Sequence, residues 1–187
     1  MMYRAVTWLA LENGISPQDE AEVTRLAETI QIEIGQPGAN GSPTINLNGK
    51  DVTRGLRSPE VDRNVSYVSR MPGVRRAMVR VQRSLAREGD LIMLGRDIGT
   101  VVLPDAPLKV YLDASPEVRA RRRHMELYES GLNRSEADIL DEVRQRDRLD
   151  SERHTSPLRP ADDAIIIDTD GLSLDEVVER VREAARA

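Results

Sequence analysis

The sequence contains no cysteine. That excludes a disulfide framework, a thiolate metal site and a thiol nucleophile. No apolar run approaches the ~18 residues that a membrane span needs. The opening "MMYRAVTWLALENG" has a single arginine, a short apolar part and no small-residue cleavage site. It reads as an amphipathic helix closed by Asn13-Gly14, not as a signal peptide. A basic excess is also lacking: the formal net charge is −5. This argues against a general nucleic-acid binder but not against a local basic pocket. His124 and His154 have no partners at metal-ligand spacing. The "NGKD" at 48–51 invites a search for a phosphate loop, which needs G-x-x-x-x-G-K-[ST] after a strand. Position 44 is Thr and position 51 is Asp, so the match fails, and no such motif occurs in these residues.

Lysine is nearly absent. Only Lys50 and Lys109 are lysines among 27 basic residues, and the rest are arginines. Genomic base composition explains such a bias. The same arginines are also material for gripping phosphate, because a guanidinium is always charged and binds bidentately.

The 187 residues suffice for one ordinary domain with a real core. Ser16-Pro17 followed by Asp19 and Glu20 predicts a helix start. "IQIEIG" alternates as a strand does, and Asn48-Gly49 between alternating residues signals a hairpin. Residues 31–53 therefore read as a small antiparallel sheet. Ser58-Pro59-Glu60 starts a further helix, and Pro72 interrupts it. Val74, Met78, Val81 and Leu85 then form a helical stripe that Gly89 ends. Residues 91–94, 108–112 and 164–168 read as buried strands. Between the last two lie a helix from Ser115-Pro116 to Gly131 and another opened by Ser135 with Asp138. Ser173 with Glu176 caps the last helix. Strands alternating with helices indicate an α/β fold with a mostly parallel sheet.

The stretch "GRDIGTVVLPDAPLKVYLDAS" places Arg96 and Asp97 at the end of an expected strand. Open α/β sheets bind ligands at the carboxyl ends of their strands. A ligand site and an ion pair pinning a loop are both consistent with this motif. Arg146, Asp150 and Arg153 stand at i, i+4 and i+7, one face of a helix if it runs that far. Two arginines beside an aspartate could hold a phosphate and a sugar hydroxyl, or form a solvated salt-bridge stripe. Arg119, Arg122 and Arg123 pose the same alternative.

In order and spacing, the chain resembles the bacterial cytidylate kinases. The segments that carry the likeness are "MYRAVTW", "LNGKDVTRGLRSPEV", "NVSYVSRMPGVR", "GRDIGTVVLPDAPLKVYLDAS", "RARRR", "RQRDRLDSERHTSPLRPADDAIIIDT" and "LSLDEVV". The resemblance implies a nucleoside monophosphate kinase fold: a parallel sheet flanked by helices, with a small antiparallel insertion and a helical lid. It implies a core of residues 1–14, 63–115 and 157–187, a monophosphate-binding insertion at 15–62, and a lid with the CMP-contacting arginine helix at 116–156. In the family a strand, a phosphate loop and a helix precede "MYRA". That leads us to expect that the chain as given lacks the first strand and the ATP cradle, with impaired activity.

The resemblance also implies roles. Asp97 reads the cytosine amino group, a pairing that suits a carboxylate, and Ser66 and Arg75 contact the base. Tyr3, Arg4, Arg96 and Arg153 lie near the CMP phosphate, and Arg146 and Asp150 near phosphate and sugar. Arg119, Arg122 and Arg123 cover the ATP phosphates, and Arg96, Arg153 and Arg122 are the groups expected to act in catalysis. The implied reaction is phosphoryl transfer from ATP, with Mg²⁺, to CMP or dCMP, in a cytoplasmic monomer without nucleic-acid or membrane partners and without a protein-held metal. A non-catalytic CMP-binding protein and a kinase of another monophosphate such as UMP remain the alternatives at this point.

Overall fold

Asn48 and Gly49 have φ of 49° and 81°, the left-handed region that a two-residue hairpin turn demands. They join β2 (Pro43–Leu47) to β3 (Lys50–Asp51), and β1 (Ile32–Pro37) pairs antiparallel with β2 on the other side. The antiparallel sheet expected at 31–53 is thus present. The computed structural model describes residues 1–37, 43–87, 89–129, 131–152 and 158–186. It divides into two units, Met1–Leu91 and Ile92–Ala187.

In the first unit, α1 (Met2–Glu12), α2 (Glu20–Thr29), α3 (Pro59–Val68) and α4 (Pro72–Leu85) accompany this sheet. A single 3₁₀ turn, Gly55–Arg57, precedes α3. Ser58 caps α3 by accepting from the Val61 N–H, and Pro59 occupies the first helical position, where its missing N–H costs nothing. The start of α2 differs from expectation. Ser16-Pro17 forms a turn, with the Gln18 N–H donating to Ser16 Oγ, and Asp19 is the cap, accepting from the Glu22 N–H. An aspartate at that position satisfies an orphan helix donor that the earlier serine cannot reach.

The helical stripe on α4 faces inward: Val74 and Met78 are fully buried, with Val81 and Leu85 packed against them. Val6 of α1, Val23 of α2, Ile45 of β2 and Leu56 complete this core. Helix α4 approaches α2 at Gly73, where an added Cβ would fall 2.4 Å from Thr24 Cγ2. Only glycine fits that approach without a shift.

In the second unit, β4 (Val110–Asp113) and β5 (Ile165–Asp168) pair in parallel, Val110 opposite Ile165 and Asp113 opposite Asp168. Helices α5 (Pro116–Glu129), α6 (Glu136–Ser151) and α7 (Leu174–Arg186) accompany them. Side-chain caps at Ser115, Ser135 and Ser173 are made as expected, the last a reciprocal box with Glu176. The α/β character holds, but two strand expectations do not. Residues 91–94 form no strand, and Ile92 and Leu94 are 90% and 87% exposed. Apolar composition favours a strand but does not make one; a ladder partner does, and among the described residues none pairs with this run. The expected burial of the other two strands is also not met, since Ile165 and Ile166 are exposed. Strand side chains are buried by elements that cover the faces of a sheet, and among the described residues these two are left uncovered.

One element had no sequence signal. Residues Ile98–Val102 form a π-helical turn, with the N–H of Val102 donating to Asp97 O at 3.2 Å and that of Leu103 to Ile98 O at 2.7 Å. Such turns cluster at functional sites.

Leu56 is fully buried in the first unit. Leu56→Ala is expected to lower stability by about 2–5 kcal/mol, read as a lower urea midpoint with an unchanged slope.

Candidate functional site

The second unit concentrates charge at the carboxyl end of its strands. The turn at residues 95–97, just before the π-helical turn, carries Arg96 and Asp97. Helix α5 leaves β4 through Ala114 and Ser115, and it contributes Arg119, Arg122 and Arg123. Helix α6 contributes Arg146, Asp147 and Asp150.

Arg96 Nη1 donates to Asp150 Oδ2 and lies 3.7 Å from Asp147 Oδ1. Arg119 grips Asp147 with both prongs, Nη1 to Oδ1 at 3.0 Å and Nη2 to Oδ2 at 2.5 Å, while its Nε donates to Ala114 O at 3.0 Å. This hydrogen bond to Asp147 is the foremost cause that raises the Arg119 pKa above its ordinary value, so the guanidinium stays charged. Arg146 Nε stands 3.8 Å from Asp150 Oδ2. Asp150 is buried, as is Asp97, which is 7% exposed. A carboxylate is rarely buried without a cationic or hydrogen-bonding partner, and at Asp150 the arginines supply one. Guanidiniums from the 95–97 turn, α5 and α6 thus converge on the two carboxylates of α6.

The arginines of α5 differ from one another. Arg122 donates to Thr169 Oγ1 at 3.1 Å and to the carbonyls of Thr169 and Leu172, which ties α5 to the turn after β5. Arg123 pairs with Glu126 at 2.9 Å on the exposed side. Arg153 lies outside the described residues.

In the first unit the expected residues fall into two groups. The Arg75 guanidinium, on buried α4, lies 5.5 Å from the centre of the Tyr3 ring and donates to Ser69 O at 3.0 Å. Ser66 sits one helical turn earlier, its carbonyl accepting from Ser69 Oγ at 3.3 Å. Arg4 is separately engaged, donating to Leu56 O at 2.9 Å and pairing with Asp62 at 2.5 Å.

The residue sequence reasoning missed is Asp147. The signal was available: "RDRLD" puts two aspartates three apart, hence on one helix face. Thr169 is the other omission, and it had no motif to mark it. Among the described residues no three His, Asp or Glu converge as a metal site, and no helix is long and apolar enough to cross a membrane.

The comparisons with known proteins bear on this arrangement. A family model described as cytidylate kinase matches residues 1–187. The expectation of a missing first strand and phosphate loop is not confirmed by this match, which begins at residue 1. The chain is 47% identical over 182 residues to a cytidylate kinase of Carboxydothermus hydrogenoformans, covering 97% of this chain and 81% of that protein. It is 44% identical over 185 residues to a cytidylate kinase of Streptococcus thermophilus, covering 99% and 81%. A bifunctional pantoate ligase/cytidylate kinase of a Synechococcus strain is 48% identical over 181 residues, 96% of this chain. The chain spans 33% of the length of that bifunctional relative.

The carboxylate of Asp170 accepts the Ser115 N–H at 2.7 Å, at the start of α5. That bond is the first of the causes holding its pKa below the ordinary value. A depressed carboxylate stabilises the fold above its unfolded pKa, and that contribution is lost as pH falls through the folded one. We therefore expect Asp170→Asn to lose less stability than the parent as pH drops below about 4, measured as urea midpoints at pH 7 and pH 3.

Proposed function

We propose that this chain, which belongs to the cytidylate kinase family, carries CMP or dCMP recognition for phosphoryl transfer from ATP. The observation that carries the reading is the family match over residues 1–187. The arginine–aspartate cluster of the second unit supports it, because Arg96 lies in "GRDIGTVVLPDAPLKVYLDAS" and Arg146, Asp147 and Asp150 in "RQRDRLDSERHTSPLRPADDAIIIDT", two of the segments that carry the resemblance. In the reaction an oxygen of the CMP phosphate attacks the γ-phosphorus of ATP. The bond from that phosphorus to the β,γ-bridging oxygen breaks, giving CDP and ADP. Mg²⁺ enters with ATP, held on phosphate oxygens as this ion commonly is.

No covalent nucleophile is required; the protein's work is positioning and stabilising charge on the transferring group. In this reading Arg96, already turned toward carboxylates, holds the CMP phosphate, with Arg153, Tyr3 and Arg4 beside it in role. For Arg4 that requires exchange of its pair with Asp62. Arg146 and Asp150 serve phosphate and sugar, and Asp97 accepts from the cytosine amino group. Ser66 and Arg75 serve the base. Arg119, Arg122 and Arg123 belong to a lid over the ATP phosphates, within residues 116–156, while residues 15–62 form the monophosphate-binding insertion. Arg122 can reach a phosphate only by leaving Thr169 and Leu172.

A coupled ADP-release assay with MgATP and each of CMP, dCMP, UMP, AMP and GMP tests the reading. Turnover that depends on CMP or dCMP is expected. Turnover with AMP or GMP in preference would overturn it, and calorimetric binding of CMP without turnover would favour a binding protein.

Uracil presents a carbonyl where cytosine presents an amino group, so a carboxylate at Asp97 repels UMP. Asp97→Asn is expected to shrink the CMP-over-UMP ratio of kcat/KM by about tenfold or more. An unchanged ratio would remove Asp97 from base recognition.

A further inference from the structure

The reading above assigns Asp150 of α6 a role and leaves Asp147 without one. Yet Asp147 makes the two-pronged contact of this cluster. Its two oxygens accept the two prongs of Arg119, and its Oδ1 also faces Arg96 Nη1 at 3.7 Å. The Asp147 side chain is only 24% exposed, so salt screens this group incompletely. A guanidinium has five N–H donors. On Arg119 the contacts to Ala114 O and Asp147 occupy three of them, leaving the outer hydrogen of each Nη. Where those two hydrogens point is set by Asp147 together with the Ala114 carbonyl.

We propose that Asp147 is a positioning residue: its two-pronged bond orients Arg119, the arginine serving the ATP phosphates, and its charge lies 3.7 Å from Arg96, the arginine serving the CMP phosphate, which Asp150 holds by a hydrogen bond. This rests on the function proposed above. Two elements distant in sequence, the turn at 95–97 and the first turns of α5, meet α6 at this group. The contact to Arg119 is two-pronged and short, and the one to Arg96 single and longer. Loss of Asp147 should therefore cost more at the donor nucleotide than at the acceptor.

The sign of the effect separates this from the obvious alternative. Deleting a negative charge beside a phosphate makes the site more positive, which by itself tightens anion binding. Positioning predicts the opposite. The test is calorimetric titration of MgATP and of CMP into the parent and into Asp147→Asn, with thermal unfolding of both. Expected are about tenfold weaker ATP binding and about threefold weaker CMP binding, at an unfolding midpoint close to the parent. Equal or tighter ATP binding overturns the proposal, as does an equal loss of both ligands with a lowered midpoint, which would assign Asp147 to the fold. Should Asp147→Asn fail to fold, Asp147→Glu is judged by the same criteria, because it keeps the charge but shifts the carboxylate. A parent that binds CMP but not ATP overturns the proposal alone. A parent that binds neither overturns the functional reading with it.

Discussion

The second unit depends on the neutralisation of guanidinium charge by two carboxylates one helical turn apart. Asp147 and Asp150 take contacts from Arg96, Arg119 and Arg146, three cations from three segments. Apolar burial contributes little there: Val102, Ala120 and Ile139 are the buried apolar side chains of the unit among the described residues. Where the hydrophobic term is that small, the geometry of α5 on α6 is set by directional bonds. Such bonds are indifferent to whether the anion is a carboxylate or a phosphate. In the function proposed here, the interaction that organises the unit is also the one that binds phosphate.

The first unit is organised by the opposite means. Its four helices and its small sheet share an apolar core with Val6, Val23, Ile45, Leu56, Val74 and Met78 near its centre. Polar groups inside it are few, and Arg75 is the most notable. The burial of its guanidinium against Tyr3 fixes the direction of a charged group by packing, with no surface side-chain entropy left to lose. A core-anchored arginine and a carboxylate-anchored one are two ways of preorganising a cation.

Much of the local structure was legible from residues. Ser58, Ser115, Ser135 and Ser173 cap helices as their spacing indicates, and Asn48-Gly49 turns the hairpin. These features are legible because each is settled within four residues, by a hydrogen bond or a dihedral preference that the local sequence itself supplies. The candidate site was legible as an inventory of arginines and aspartates, not as a set of pairs. Arg119 and Arg122 look alike in "VRARRR", yet one meets a carboxylate and the other meets carbonyls.

The sequence by itself determined most helix caps, the hairpin turn and which stripe of α4 faces the core, though not the start of α2, which lies at Asp19, nor the end of α4, which lies at Leu85 and not at Gly89. Tertiary structure decided the rest. Residues 91–94 have the composition of a strand, but pairing depends on a neighbour whose position no local pattern encodes. Whether Arg96 meets Asp150 depends on bringing together residues 54 apart in the chain. Caps and turns are short-range and follow from adjacent residues; ladders and ion pairs are long-range and follow only from the packing that closes the distance.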